Sequence, residues 1–395
     1  AELWIGASPD GLIGTNAADV DGEIGGVLEI KCPFNKGSPT TASPYAKVPW
    51  YYVPQVQGLM AVFDRPWCDL VSYTVNGGVA IYRVERDHDY WNLLYECCSE
   101  FWWQHVVPGK HALAAGYRLL DTAHVYCGGK MEPIVGKAKT EDVFLITKQW
   151  RGFHGHAETT KCLNQSLSRL KVDKVDLLLM HWPGPGYSAM GRSKERIAKE
   201  GIECYFKKGH EDIAAVRLET WRAMEDAYLA GKCGAIGVSN FSADHLRKLL
   251  EWEGLRVKPA VLQNELHPYL QQKDVVALCA EHDILVQAYA SLGGQDSAAK
   301  HWAELDRPPL LEHPAAAAAA KAHGATPAAV LLRWAVQKGY AVIPKSRDKG
   351  RIRANTELGF VLDDAEMAAL DALDLGGMKG RLCWRKDELR MMEFP

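Results

Sequence analysis

Four side chains of complementary chemistry close three apolar runs of this 395-residue chain. Gly116-Tyr-Arg-Leu-Leu-Asp-Thr-Ala-His-Val-Tyr126 carries Asp121 at the end of its apolar stretch with Tyr126 soon after it. Phe144-Leu-Ile-Thr-Lys148 ends in Lys148, and Val175-Asp-Leu-Leu-Leu-Met-His181 ends in His181, followed by Trp182 and Pro183. A tyrosine phenol has a reference pKa of about 10 and is a poor acid at neutral pH, so a neighbouring ammonium that favours its anion is needed to make it a proton donor. A carboxylate can keep that ammonium charged and fixed, and an imidazole can orient the acceptor and help donate. A second set lies far upstream, where Asp10 follows Ser8-Pro9 and Glu29 and Lys31 share the run Gly26-Val-Leu-Glu-Ile-Lys31. Alternate residues of a strand point to one face, so Glu29, Lys31 and a paired Asp10 can surround one point. Two carboxylates and a lysine there could hold Mg²⁺ through oxygen ligands and activate a water.

The first set needs a scaffold that brings several strand ends to one rim. From residue 117 onward, apolar strands are expected near 117–121, 142–147, 175–180, 234–238, 259–263, 284–288 and 341–343, with helices between them. Such alternation implies parallel strands and right-handed crossovers, hence a TIM-type (β/α)₈ barrel whose mouth gathers the C-terminal strand ends. Only seven such runs can be found, one short of a closed barrel.

These residues resemble the aldo-keto reductase family, and the likeness continues through Gly237-Val-Ser-Asn-Phe241, Gln263-Asn-Glu-Leu-His-Pro268 and Ile343-Pro-Lys-Ser346. The resemblance implies that the missing strand is the barrel's first, and that the barrel module reduces an aldehyde or ketone to an alcohol with NADPH. Tyr126 would be the general acid, supported by Asp121, Lys148 and His181. Ser239, Asn240 and Gln263 match residues that hold the nicotinamide amide, Tyr289 matches the aromatic that stacks on its ring, and Leu292 belongs to the same cofactor set. Lys345, Ser346, Arg351 and Asn355 match the adenosine end, where a cationic pair suits a 2′-phosphate and favours NADPH over NADH.

The N-terminal stretch resembles the YqaJ-type viral recombinase exonucleases of the PD-(D/E)xK nuclease superfamily. The likeness rests on Asp10, Glu29-Ile-Lys31 and the block Tyr51-Tyr-Val-Pro-Gln-Val-Gln-Gly-Leu-Met60. It implies an α+β domain in which Asp10, Glu29 and the Ile30 carbonyl bind metal, Lys31 is catalytic, and Gln55 or Gln57 lies near the site. The family's leading helices do not precede Asp10, so this domain is expected to be N-terminally truncated. Residues 1–110 hold 13 Asp+Glu against 7 Lys+Arg, whereas a DNA-binding surface supplies cations to phosphates.

The expected organisation is therefore a nuclease-like domain over 1–110 and a reductase barrel over 111–395. The leading function is NADPH-dependent carbonyl reduction on a small-molecule substrate. A Mg²⁺-dependent DNA exonuclease is the alternative from another class, with DNA as its partner, and an inactive or mis-predicted fusion of two truncated domains is a third. No apolar run reaches the roughly 18 residues needed to span a bilayer, and the N-terminus has no basic-then-apolar pattern. The ten cysteines are scattered without zinc-ligand spacing, which reads as reduced thiols. A cytoplasmic monomer with no membrane partner is expected. A long connection with Arg192, Lys194, Arg196, Lys199, Lys207 and Lys208 reads as a solvated loop, a substrate-loop insertion or a basic patch for acidic partners, and the reductase resemblance implies that a tail with Trp384, Met391, Met392 and Phe394 folds over the barrel mouth.

Overall fold

The computed structural model describes residues 9–13, 25–33, 42–101, 112–184, 212–294 and 307–383, which fall in two units, Ala1–Trp102 and Trp103–Pro395. The residues of the basic connection named above, and Trp384, Met391, Met392 and Phe394, lie outside the described residues.

In the first unit, strands β1 (Gly11–Leu12), β2 (Val27–Lys31), β3 (Trp67–Thr74) and β4 (Gly78–Glu85) form one sheet in that order. The outer pairs are antiparallel, whereas β2 and β3 run parallel. Parallel neighbours need a crossover, and helix α1 (Val53–Val62) lies between them in the chain. Val27, Cys68 and Leu70 of the sheet pack with Val56, Leu59 and Met60 of α1. Helix α2 (His88–Phe101) packs on α1.

The second unit is built on β5 (Leu119–Asp121), β6 (Phe144–Gln149), β7 (Val175–Met180), β8 (Cys233–Ser239), β9 (Val261–Glu265), β10 (Leu285–Tyr289) and β11 (Ala341–Val342). All six neighbouring pairs are parallel and follow chain order. At least one helix lies in each connection between successive strands, and the helix termini are set by local chemistry. Ser242 and His245 form a capping box at Ala243–Leu250, and Asp363 and Glu366 form another at Asp364–Asp371. Thr326 caps Pro327–Gln337, where Pro327 fills a first-turn position whose N–H would have no helical partner. Each cap contributes about 1 kcal/mol.

Strand alternation sorts the sheet into two faces. Leu145, Leu178, Met180, Ile236, Val238, Leu262 and Val286 face outward into a large core shared with helix residues such as Leu167, Trp221, Leu246 and Leu278. Ile146, Leu177 and Leu179, with Leu119, Ala235 and Val261 against them, form a separate cluster on the opposite face. The same parity assigns Asp121, Lys148, His181, Ser239 and Gln263 to that inner face. Gly237 on β8 shares it, and a Cβ there would stand 2.4 Å from the Val261 carbonyl oxygen, so only glycine fits.

Candidate active site

Lys148 is fully buried. Its ammonium donates to Asp121 Oδ2 in an ion pair, to the Thr122 carbonyl at 2.9 Å and to the Tyr126 hydroxyl at 3.4 Å. Burial pulls the lysine pKa down, but Asp121 and then Tyr126 outweigh it and the net shift is upward. Lys148 therefore stays an ammonium in a place where water cannot solvate it. Tyr126 feels opposing influences too. Burial raises its phenol pKa, the Lys148 charge lowers it, and burial wins. The hydroxyl stays protonated, and the adjacent ammonium is placed to stabilise the tyrosinate left after a proton departs.

His181 completes the group. Its ring meets the Tyr126 ring edge-on with centroids 5.7 Å apart and the Trp150 ring at 5.3 Å. Burial, then Lys148 and Arg151, hold its pKa well below the ordinary 6.5, so the imidazole is neutral. Its Nδ1 is buried and has no hydrogen-bond partner among the described residues. Trp150 and Arg151 were not singled out from sequence. Their place directly beyond Lys148 and Gln149, at the C-terminal end of β6, was the available signal.

Tyr126 sits on a tight turn rather than on a strand. Cys127, Gly128 and Gly129 have φ of 52°, 64° and 85° in succession, a left-handed path that two glycines make accessible. The turn returns the chain to the helix Met131–Ala138 and leaves the tyrosine ring above Lys148, with the ammonium 5.0 Å from the ring centroid.

The expected cofactor residues cluster on the next strand ends. Ser239 ends β8, and Asn240, at φ 60°, donates to the His181 carbonyl at 2.9 Å and to Ser239 Oγ at 3.2 Å. Tyr289, the last residue of β10, donates to Asn240 Oδ1 at 2.6 Å. Gln263 on β9 donates to Asp121 Oδ1 at 2.9 Å and also bonds Gln287. Ser239, Asn240 and Gln263 are buried, while Tyr289 at the end of β10 and Leu292 just beyond it are half-buried. Lys345 and Arg351 are exposed beyond β11, and Ser346 Oγ accepts from the Asp348 amide at 3.1 Å. Asn355 follows the short helix Lys349–Ala354, where the Tyr117 hydroxyl donates to the Ile352 carbonyl at 3.3 Å. Amides and a hydroxyl, then a half-buried ring, then exposed cations make a donor set that fits a nicotinamide dinucleotide, from its carboxamide to its phosphates.

In the first unit, Asp10 Oδ2 accepts from the Ile30 amide at 2.6 Å. Glu29 is buried, and its Oε1 accepts from Lys31 and, at 2.6 Å, from Gln55 Nε2. Gln57 instead donates to the Glu85 carbonyl and accepts from the Asp87 amide, both at 2.9 Å, and ties α1 to the junction between β4 and α2. Glu29 Oε2 is left buried with no partner among the described residues. Those residues contain no group of three His, Cys, Asp or Glu placed to hold a metal ion. Asp10 Oδ2 is engaged by an amide and Glu29 Oε1 by Lys31 and Gln55, and nothing among the described residues supports a resident Mg²⁺.

No helix among the described residues is long and apolar enough to cross a membrane. A family model described as the aldo/keto reductase family matches residues 109–375, and one described as a YqaJ-like viral recombinase domain matches residues 1–66. The NAD(P)H-dependent D-xylose reductase of Scheffersomyces stipitis is 37% identical over 298 residues, covering 72% of this chain and 89% of that protein. Aldo-keto reductase family 1 member A1 of Mus musculus is 37% identical over 276 residues, covering 67% of this chain and 80% of that protein. The crystal structure of an aldo/keto reductase from Brucella melitensis superposes with a TM-score of 0.54 at 32% identity, covering 69% of this chain and 90% of that one. The curled parallel sheet and these neighbours together give the second unit a TIM-like α/β barrel architecture.

Proposed function

The chain belongs to the aldo/keto reductase family through residues 109–375, and from that premise we propose that it reduces a small aldehyde or ketone to an alcohol with NADPH, Tyr126 acting as the proton donor. The observation that carries this reading is the contact of the buried Lys148 with both Asp121 and Tyr126 beside a neutral His181. NAD(P)H, when bound, supplies the hydride that the carbonyl carbon accepts. The protein's own residues do the rest. Tyr126 O–H donates to the carbonyl oxygen, Lys148 stabilises the phenolate that remains, and Asp121 holds Lys148 in place. A neutral His181 orients the carbonyl without adding a second charge near Lys148. Ser239, Asn240, Gln263, Tyr289 and Leu292 hold the nicotinamide end, and Lys345, Ser346, Arg351 and Asn355 hold the adenosine end. Two exposed cations at that end support NADPH over NADH.

The seven-stranded sheet is read as the family's barrel without its first strand. In support, Tyr117, two residues before β5, donates to the Ile352 carbonyl in the helix Lys349–Ala354 that follows β11, so segments flanking the two edge strands touch. The test is consumption of NADPH by the purified full chain against a panel of aldehydes and ketones. Cofactor-dependent alcohol formation is expected, and a chain that binds NADPH yet reduces no member of the panel would overturn the reading.

A further inference from the structure

Below the Tyr126 turn lies a buried polar knot that the reaction as described does not use. Glu132 is fully buried on the helix Met131–Ala138. Its Oε1 accepts from Thr147 Oγ at 2.7 Å, and its Oε2 accepts from Arg169 Nη1 at 3.4 Å. Thr147 is the residue next to Lys148 on β6. Arg169 Nη1 also reaches the His124 carbonyl at 3.4 Å, two residues before Tyr126. The His124 ring is itself tied to Gln165 at 3.0 Å, on the same helix as Arg169.

A buried carboxylate is costly unless it is paired and hydrogen-bonded, so Glu132 needs a role to offset that cost. The turn it underpins needs one as well. Cys127 is a non-glycine residue in the left-handed region, which costs of order 1 kcal/mol or more and persists only where the surroundings impose it. Arg169 also closes the space beside Gly129, where a Cβ would meet Nη1 at 3.3 Å.

We propose that Glu132 is a positioning residue that fixes Tyr126 against Lys148, by joining Thr147 on the lysine's strand to Arg169 under the tyrosine's turn. The inference rests on the reductase reading for its kinetic consequence and on geometry alone for its structural one. A 1 Å misplacement of a reacting group can lower a rate by on the order of a hundredfold. Glu132→Gln keeps the volume and weakens the link to Arg169.

The experiment compares wild type, Glu132→Gln, Tyr126→Phe and the double variant. The expected result is a fall in kcat of about tenfold or more for Glu132→Gln, with the Kd for NADPH within about twofold and no further loss in the double variant. A merely structural role would lower activity by the same factor in both backgrounds, and that additivity, or an unchanged kcat, would overturn the proposal. The second readout needs no turnover. Tyr126 ionisation, obtained as the difference in tyrosinate absorbance between each protein and its Tyr126→Phe counterpart, should move to higher pH in Glu132→Gln as the Lys148 contact loosens. An unmoved titration would overturn the proposal even if the chain proved to reduce no carbonyl, whereas a moved titration without turnover would sink only the reductase reading. Should Glu132→Gln fail to fold, Thr147→Val makes the same comparison from the other end of the knot.

Discussion

Gln263 on β9 donates its side-chain amide to Asp121 Oδ1 on β5 at 2.9 Å, although β6, β7 and β8 stand between those strands in the sheet. Neighbouring strands lie about 4.8 Å apart, so a flat sheet would separate β5 from β9 by roughly four such steps. Direct contact requires the sheet to curl until its inner face closes on itself. The curl brings a residue proposed for the nicotinamide end onto the carboxylate that holds Lys148. Gln263→Leu should therefore affect both functions, weakening cofactor binding and lowering kcat. Steady-state kinetics with separately measured NADPH affinity would show it, and a change confined to affinity would mean that the bond to Asp121 has no catalytic consequence.

Tyr126→Phe removes the hydroxyl that faces Lys148 and leaves the ring against His181. Carbonyl reduction should fall by about a hundredfold or more, the range for loss of a general acid, while NADPH binding changes little. Turnover close to wild type would remove Tyr126 from the mechanism.

Asn240 carries two separable burdens, a left-handed backbone at φ 60° and a three-way link among His181, Ser239 and Tyr289. Asn240→Gly keeps the backbone accessible and loses the link, whereas Asn240→Ala loses the link and adds strain. Both should weaken NADPH binding, and the alanine variant should be less stable than the glycine one by about 1 kcal/mol. Equal unfolding midpoints in urea would show that the turn does not impose its φ on residue 240.

Much of the second unit could be read from the sequence because its strands are buried on both faces and so appear as unbroken apolar runs. Phe144-Leu-Ile-Thr and Val175-Asp-Leu-Leu-Leu-Met are such runs, and each coincides with a strand. Their polar end residues stand out because a Lys or a His there interrupts the pattern. The turn at Cys127–Gly129 was less legible, since Cys127 gives no sign of adopting positive φ. Glu132 was hidden for a different reason. An acidic residue in a first helical turn reads as a solvated partner of the helix dipole, and only the tertiary fold shows that Thr147 and Arg169 enclose it. Gln263 was noted for its place in a motif, but its reach to Asp121 depends on sheet curvature, which no local pattern encodes.

The buried imidazoles give the fold an acid sensitivity of fixed sign. His181 and His124 both have folded-state pKa values below the ordinary 6.5, chiefly through burial. An unfolded chain then takes up protons near pH 6.5 that the folded chain refuses, so stability is full above that pH and declines as pH falls below it. The thermal midpoint should drop between pH 7 and pH 5.5, and His181→Asn should shallow that slope. A slope unchanged by the substitution would place the titration elsewhere. Because His181 is already neutral, kcat should show no acid limb near pH 6.5 arising from it.

The proposed preference for NADPH rests on Lys345 and Arg351, both exposed beyond β11. A 2′-phosphate offers charge-assisted hydrogen bonds that NADH lacks, and such bonds are roughly twice as strong as neutral ones. Lys345→Ala should therefore weaken NADPH by about tenfold while changing NADH little, because only the phosphorylated ribose meets the ammonium. The interaction should also fade with ionic strength, since an exposed pair is screened within a Debye length of about 10 Å at 0.1 M salt. Arg351→Ala is expected to act in the same direction. Measuring both Kd values for each variant at low and high salt checks the assignment. Equal losses for NADPH and NADH, or a NADPH affinity insensitive to salt, would show that these cations do not read the phosphate.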